Sequence, residues 1–298
     1  MTPGWAGPAW GQPSAASAAP VPRRPTVAAE DAAYRAEGGM SAGLVVLAAS
    51  VAGVSHRLAE RRNEDSFAWS SAGPGRLAVA VADGVSSAGR GGEGAALAVR
   101  AASQWTAAHV PRVPAHGEAR DVTGCTSALV AANERLLLAQ PGRPAGPGSE
   151  LATTLVAGLV EQAPGGRARA CLARVGDSTG FVLSAGRTWR EVFLPGGDDG
   201  PATDALPHPA LGLDADVVQV AEVDLEPGEA LVLVTDGVAN PLRDGPSTVA
   251  PALGGVVAEA AVGRVSPVGL LAALDFSRRG AHDDRTLLLV SSWPEHGA

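Results

Sequence analysis

Lysine and isoleucine are missing from this chain altogether, and aromatic residues make up only 4% of it. Without isoleucine and with few rings, an apolar core must be built from valine, leucine and alanine. The 46% apolar content of the 298 residues is enough for a substantial one. All 23 cationic side chains are arginines, set against 31 carboxylates, for a net charge of −8. No basic block occurs, which argues against nucleic acid and anionic membrane as partners. The bias toward Ala, Gly, Arg and Pro is that of a GC-rich, bacterial-type genome.

Cysteine is nearly absent too. Cys125 and Cys171 suggest no disulfide framework, and both read as buried small apolar residues. Long apolar runs are lacking. The longest, Leu44 to Val54, is about half what a membrane helix needs, and it lies too deep in the chain for a signal segment. The expectation is a soluble, cytoplasmic protein.

Residues 1–40 are rich in Pro, Ala, Gly and Ser without sustained periodicity, and are expected to form a disordered tail. Trp5 and Trp10 are unusual in such a stretch. One domain is expected over residues 41–294. Strands are predicted at 44–54, 66–70, 76–82, 152–159, 168–175, 180–184, 189–193, 217–223, 230–235 and 286–291. Helical periodicity places Leu97, Ala101, Trp105 and Ala108 on one face. It marks a second helix over 122–139, and a helical stretch over 249–276 is interrupted near Pro267. Strands grouped apart from helices indicate an α+β fold, a central antiparallel β-sandwich flanked by helices on both sides.

What is present in place of the missing features is acid at strand ends. Two apolar runs, Leu77 to Ala82 and Ala230 to Thr235, each end in Asp-Gly, at Asp83-Gly84 and Asp236-Gly237. Asp-Gly is ordinarily a hairpin signal, but here no partner strand follows at once. Glu64 and Asp65 precede a predicted strand, Asp177 follows one, and Asp283-Asp284 opens the last. Carboxylates delivered to one sheet edge from distant points in sequence are how hard divalent cations are held.

The motifs Asn63-Glu64-Asp65-Ser66, Val81-Ala82-Asp83-Gly84-Val85, Ala152-Thr153-Thr154-Leu155-Val156, Val175-Gly176-Asp177-Ser178, Val234-Thr235-Asp236-Gly237-Val238 and Asp283-Asp284-Arg285-Thr286 occur in an order and spacing that resembles the PPM family. These are the metal-dependent, type 2C protein serine/threonine phosphatases, and the likeness to a divergent bacterial branch spans about residues 45–291. The resemblance implies a β-sandwich with two Mn2+ or Mg2+ ions at one end, and a water bridging them that attacks phosphoserine or phosphothreonine. It implies that Asp83 bridges both ions, that the Gly84 carbonyl binds one, and that Asp236 and Asp283 complete the other's shell. Glu64 and Asp65 would hold metal-bound waters, and Asp177 with Asp236 would match a third, weaker site. Phosphorylated proteins from a serine/threonine kinase pathway would be the substrates, acted on by a monomer. The lack of a Cys-x5-Arg loop or a Ser-His-Asp signature agrees with a reaction that needs no protein nucleophile.

The chain departs from the family pattern in places. The usual Asp-Gly-x-Gly-Gly is Asp83-Gly84-Val85-Ser86-Ser87. A histidine two residues after the bridging aspartate, common in eukaryotic relatives, is Val85. The position that often carries a phosphate-binding arginine is Glu60, so the phosphate contact passes to a neighbour. If residues 58–63 are extended, Arg61 and Arg62 face opposite sides. Arg57, expected to close the first strand beside His56, is favoured, with Arg62 second and His56 as a further phosphate contact. The competing functions are a phosphatase-fold binding or scaffold protein with weak or no catalysis, and a hydrolase of small phosphate esters.

Overall fold

The computed structural model describes residues 26–30, 33–41, 43–109, 122–145, 149–193, 205–208, 217–244, 249–277 and 282–293. Two antiparallel sheets lie face to face. The larger has seven strands, in the order β1 (Thr26–Glu30), β2 (Tyr34–Ser41), β3 (Leu44–Val51), β12 (Arg285–Ser292), β11 (Ala230–Val234), β8 (Thr179–Leu183) and β9 (Trp189–Glu191). The smaller has five, in the order β10 (Gln219–Leu225), β7 (Arg167–Val175), β6 (Leu155–Ala163), β5 (Arg76–Asp83) and β4 (Asp65–Ser71). Helices α2 (Gly91–His109) and α3 (Val122–Ala139) cover the smaller sheet. The larger is covered by α4 (Asp236–Arg243), α5 (Val249–Ala261) and α6 (Pro267–Leu274). The α+β sandwich with helices on both sides is the architecture the sequence implies.

Strand alternation explains how two sheets and two helical layers share one sequence. In β5, Leu77, Val79 and Val81 enter the core between the sheets, while Ala80 and Ala82 face the helices. In β3, Leu44, Val46 and Ala48 face the smaller sheet, and Val45, Leu47, Ala49 and Val51 face α4, α5 and α6. Strands covered on both faces therefore read as unbroken apolar runs. Each fully buried Val or Leu there contributes about 1.5–3 kcal/mol.

The expected tail boundary at residue 40 is corrected. β2 pairs with β3 from Tyr34↔Val51 to Ser41↔Leu44, and β1 pairs with β2. These strands escape an apolar search because β2 carries Arg35, Glu37, Gly38 and Gly39, held by ladder bonds and side-chain contacts more than by greasy alternation. Arg35, for example, stacks on Phe67 and pairs with Glu37 at 2.6 Å. Trp5 and Trp10 lie outside the described residues. The core face of α2 is also corrected: Ala95, Ala98, Val99, Ala102 and Thr106 are buried, whereas Leu97, Ala101 and Trp105 are half-buried and Ala108 is exposed. A face of small residues lets the helix lie close to the sheet, and the larger side chains flank it. The two cysteines form no disulfide: Cys125 is buried and its thiol donates to the carbonyl of Cys171, which is half-buried. No helix among the described residues is long and apolar enough to cross a membrane.

Candidate metal centre

Antiparallel order brings the acidic positions to one end of the sandwich. Asp83 ends β5 and Asp65 begins β4, and the two stand opposite each other in the ladder. Asp236 follows β11, Asp283 precedes β12, and Thr179, two residues after Asp177, pairs with Val234 at that same end. The Asp-Gly pairs are not hairpin turns. Asp236 opens α4, and Asp83 leads into a loop whose Val85 N–H donates to the Ala152 carbonyl (2.9 Å). Glycine is needed at both for close approach. A Cβ on Gly237 would lie 1.9 Å from the Asp284 carbonyl oxygen, and one on Gly84 would lie 2.3 Å from the Gly91 backbone.

The Thr-Thr motif holds Asp83 by its backbone. The Asp83 carbonyl accepts from Thr153 Oγ1 and from the Thr154 N–H, both at 2.8 Å, and the Asp83 N–H donates to Thr154 Oγ1 at 3.0 Å. Thr154 is linked in turn to Ser178, beside Asp177, at 2.7 Å. On the other sheet, Thr235 Oγ1 donates to Asp65 Oδ2 (2.7 Å) and accepts the Thr286 N–H (3.0 Å). Asn63 accepts the Asp65 N–H at 3.0 Å and donates to Ser50 at 2.7 Å. Thr153, Thr154, Ser178 and Thr235 fell inside the motifs of the sequence reading, which gave them no role.

The carboxylates repel one another. Burial, then the charges of Asp65, Asp236, Asp283 and Asp177, raise the Asp83 carboxyl well above its ordinary range. Asp65 is raised well above it by burial and by Asp284. Burial, with Asp283 and Asp177, pushes Asp236 up to about 6. Burial also raises Asp177, partly offset by Arg243 and Arg174. Among the described residues, no three His, Cys, Asp or Glu side chains already stand as a closed ligand set. The donor set nevertheless fits a hard cation. Glu64 Oε2, Asp65 Oδ1 and Asp236 Oδ1 are buried with no hydrogen-bond partner among the described residues. Buried oxygens without donors, in a cluster of like charge, are stabilised by a multivalent cation.

The basic side chains are arranged differently from the sequence reading. His56 and Arg57 lie in a short helix, α1 (Val54–Leu58), not at the end of a strand, and residues 58–63 are not extended. Glu60 takes φ 54° and the Arg61 N–H returns to the His56 carbonyl at 2.8 Å. Arg57 is committed to Asp275 (2.8 Å) and to the Tyr34 hydroxyl (3.1 Å). Arg62 is exposed. His56 is buried against Asp284 at 2.9 Å. Arg61, the arginine passed over, reaches Glu64 at 2.5 Å. The turn at Glu60 reverses the chain and brings Arg61 back, which an argument from extended geometry could not find.

A family model described as protein phosphatase 2C matches residues 52–261. No curated protein matches the chain. Among solved structures, the catalytic domain of the serine/threonine protein phosphatase PstP, in complex with two manganese ions, is 21% identical. That match covers 84% of this chain and 99% of that one, with a TM-score of 0.52. A phosphatase from Toxoplasma gondii is 12% identical over 87% of this chain and 95% of its own, with a TM-score of 0.60. A bacterial serine phosphatase is 11% identical over 85% and 99%, with a TM-score of 0.56. These likenesses show the fold. The family match takes in Glu64, Asp65, Asp83, Asp177 and Asp236, and by it the chain belongs to the protein phosphatase 2C family.

Proposed function

We propose that this chain is an active, divalent-metal-dependent phosphatase that hydrolyses phosphoserine and phosphothreonine in proteins, the products of a serine/threonine kinase. One observation carries the reading: strand ends from both sheets converge on a carboxylate cluster in which Glu64 Oε2, Asp65 Oδ1 and Asp236 Oδ1 are buried with no hydrogen-bond partner among the described residues. Asp83, the Gly84 carbonyl, Asp236 and Asp283 would hold two Mn2+ or Mg2+ ions, and Asp177 with Asp236 a third. Hard oxygen donors select these metals over softer ones. When bound, such ions activate water and neutralise phosphoryl charge.

The chain's own residues supply the setting. Thr153 and Thr154 fix the Asp83 backbone, and Thr235 orients Asp65, so these carboxylates are placed before any ligand arrives. Glu64 and Asp65 accept hydrogen bonds from water at the reacting phosphorus. Arg61 is 45% exposed along its side chain and pairs with Glu64 through Nη2 alone, so its other guanidinium nitrogens would meet a phosphoryl oxygen beside Glu64. Val85 offers no proton, so solvent protonates the leaving alkoxide. Initial rates on a phosphothreonine peptide and on a small aryl ester, measured side by side, test the substrate class. A large preference for the peptide in kcat/KM supports a protein phosphatase, and a preference for small esters contradicts it.

A phosphatase-fold binding protein without catalysis is the second reading. It draws on Glu60 in the phosphate position, and it requires weak or no catalysis, so that phosphate release by the parent in Mn2+ does not exceed that of Asp83→Asn.

A further inference from the structure

Asp284 gathers donors from separate parts of the chain. It is 2% exposed. Its Oδ1 accepts the Gly53 N–H at 2.6 Å, its Oδ2 accepts the Glu64 N–H at 2.6 Å, and both oxygens lie 2.9 Å from His56 Nδ1. It thereby ties the end of β3, the helix α1 and the residue before β4 to the start of β12. His56 is 5% exposed, and its ring is fixed through Nδ1. That leaves Nε2 directed at Glu64 Oε2, 3.7 Å away. The distance is beyond a direct hydrogen bond but within reach of a single water bridging the two groups. Glu64 Oε2 is buried and has no hydrogen-bond partner among the described residues, while its other oxygen meets Arg61. The carboxylate is thus held between an exposed guanidinium and a buried imidazole. A carboxylate that orients an imidazole through one nitrogen, leaving the other to act on a metal centre, is a recurrent support for such centres.

We propose that His56 is the positioning residue for Glu64, acting through Nε2, with Asp284 fixing the ring through Nδ1. The proposal rests on the metal-dependent reading above. It differs from a phosphate contact, because His56 is buried behind Glu64. It also differs from a space-filling role, because the effect on Glu64 passes through Nε2 while Nδ1 holds the ring.

Amide side chains separate the two nitrogens. Asparagine places its amide near the Nδ1 position, and glutamine places its amide near Nε2. The full chain carrying His56→Asn, His56→Gln or His56→Ala is titrated with Mn2+, with free ion followed by electron paramagnetic resonance. The kcat and KM for an aryl phosphate and a melting curve are measured alongside. His56→Asn and His56→Ala should weaken Mn2+ binding about 10-fold or more and lower kcat by a similar factor. KM should stay within about 2-fold, and His56→Gln within about 3-fold of the parent in every reading. Should the alanine variant fail to fold, the asparagine and glutamine variants decide the matter. Parent-like Mn2+ binding in His56→Asn overturns the proposal, as does a folded His56→Gln no better than His56→Asn, or an effect confined to KM. If the parent binds Mn2+ but turns over no ester, the phosphatase reading fails, and the Mn2+ titration still judges the role of His56.

Discussion

Asp65 and Asp83 stand opposite one another across β4 and β5, so two carboxylates meet at the open end of the smaller sheet. Like charges directly opposite in a ladder are destabilising. Here Asp236 and Asp283 of the other sheet add to the repulsion on Asp83. The fold therefore carries a built-in electrostatic cost that a bound cation would relieve, and on the proposed function stability and metal binding would be linked.

That linkage has a sign. The Asp236 carboxyl is raised from 3.8 to about 6, so the folded state holds its proton more tightly than the unfolded chain does. Its contribution to stability is fully present below pH 3.8 and is lost as pH rises through about 6. In EDTA, the protein should lose up to about 3 kcal/mol across this window from this group. Asp236→Asn should flatten the fall, and denaturant midpoints measured from pH 4 to 7 check it. Equal slopes in the two proteins would contradict the assignment.

Arg61→Ala should raise KM for a phosphopeptide about 10-fold, the weight of one charge-assisted hydrogen bond. Arg57→Ala should leave kinetics within about 2-fold, because its guanidinium is engaged by Asp275 and Tyr34. Steady-state kinetics on both variants decide between them, and the opposite ranking would restore the reading from sequence alone.

Glu60 closes α1 in the left-handed region, with φ 54°, where a side chain is strained. Glu60→Gly should stabilise the fold by about 1 kcal/mol, seen as a higher urea midpoint. A lower midpoint would mean that the side chain of Glu60 contributes more than its backbone strain costs.

Removal of residues 1–25 should leave both sheets paired and turnover unchanged. Removal of residues 1–40 strips the partner that lines β3 from Leu44 to Val51. That truncation should yield unstable or insoluble protein. Circular dichroism and melting curves of the two truncations test the corrected boundary, and equal stability would contradict it.

The elements legible in the sequence were those whose burial sets their composition. β5, β11 and β12 are apolar on both faces, and their acidic ends stood out against that background. The cluster of Asp65, Asp83, Asp177, Asp236 and Asp283 could be read for the same reason. β2 was not legible, because Gly38 and Gly39 give it little side-chain alternation. The face of α2 was misplaced because Ala and Gly carry almost no periodic signal, while Leu97 and Trp105 do. α1 is anchored by the residues just before β12, including Asp284 to Gly53 over a separation of 231 residues, and the turn at Glu60 follows from it. No local pattern encodes such a contact, so the roles of His56, Arg57 and Arg61 were out of reach until the fold brought them together.

On the proposed function, the carboxylate cluster makes this chain a metal-dependent phosphatase. The most direct test is turnover of a phosphothreonine peptide by the purified chain in Mn2+, in EDTA, and in Mn2+ with Asp83→Asn. Phosphate release in Mn2+ that is abolished by EDTA, and reduced about 100-fold or more in a folded Asp83→Asn, is the expected result. Undiminished release in EDTA, or equal rates for Asp83→Asn and the parent, would contradict the account.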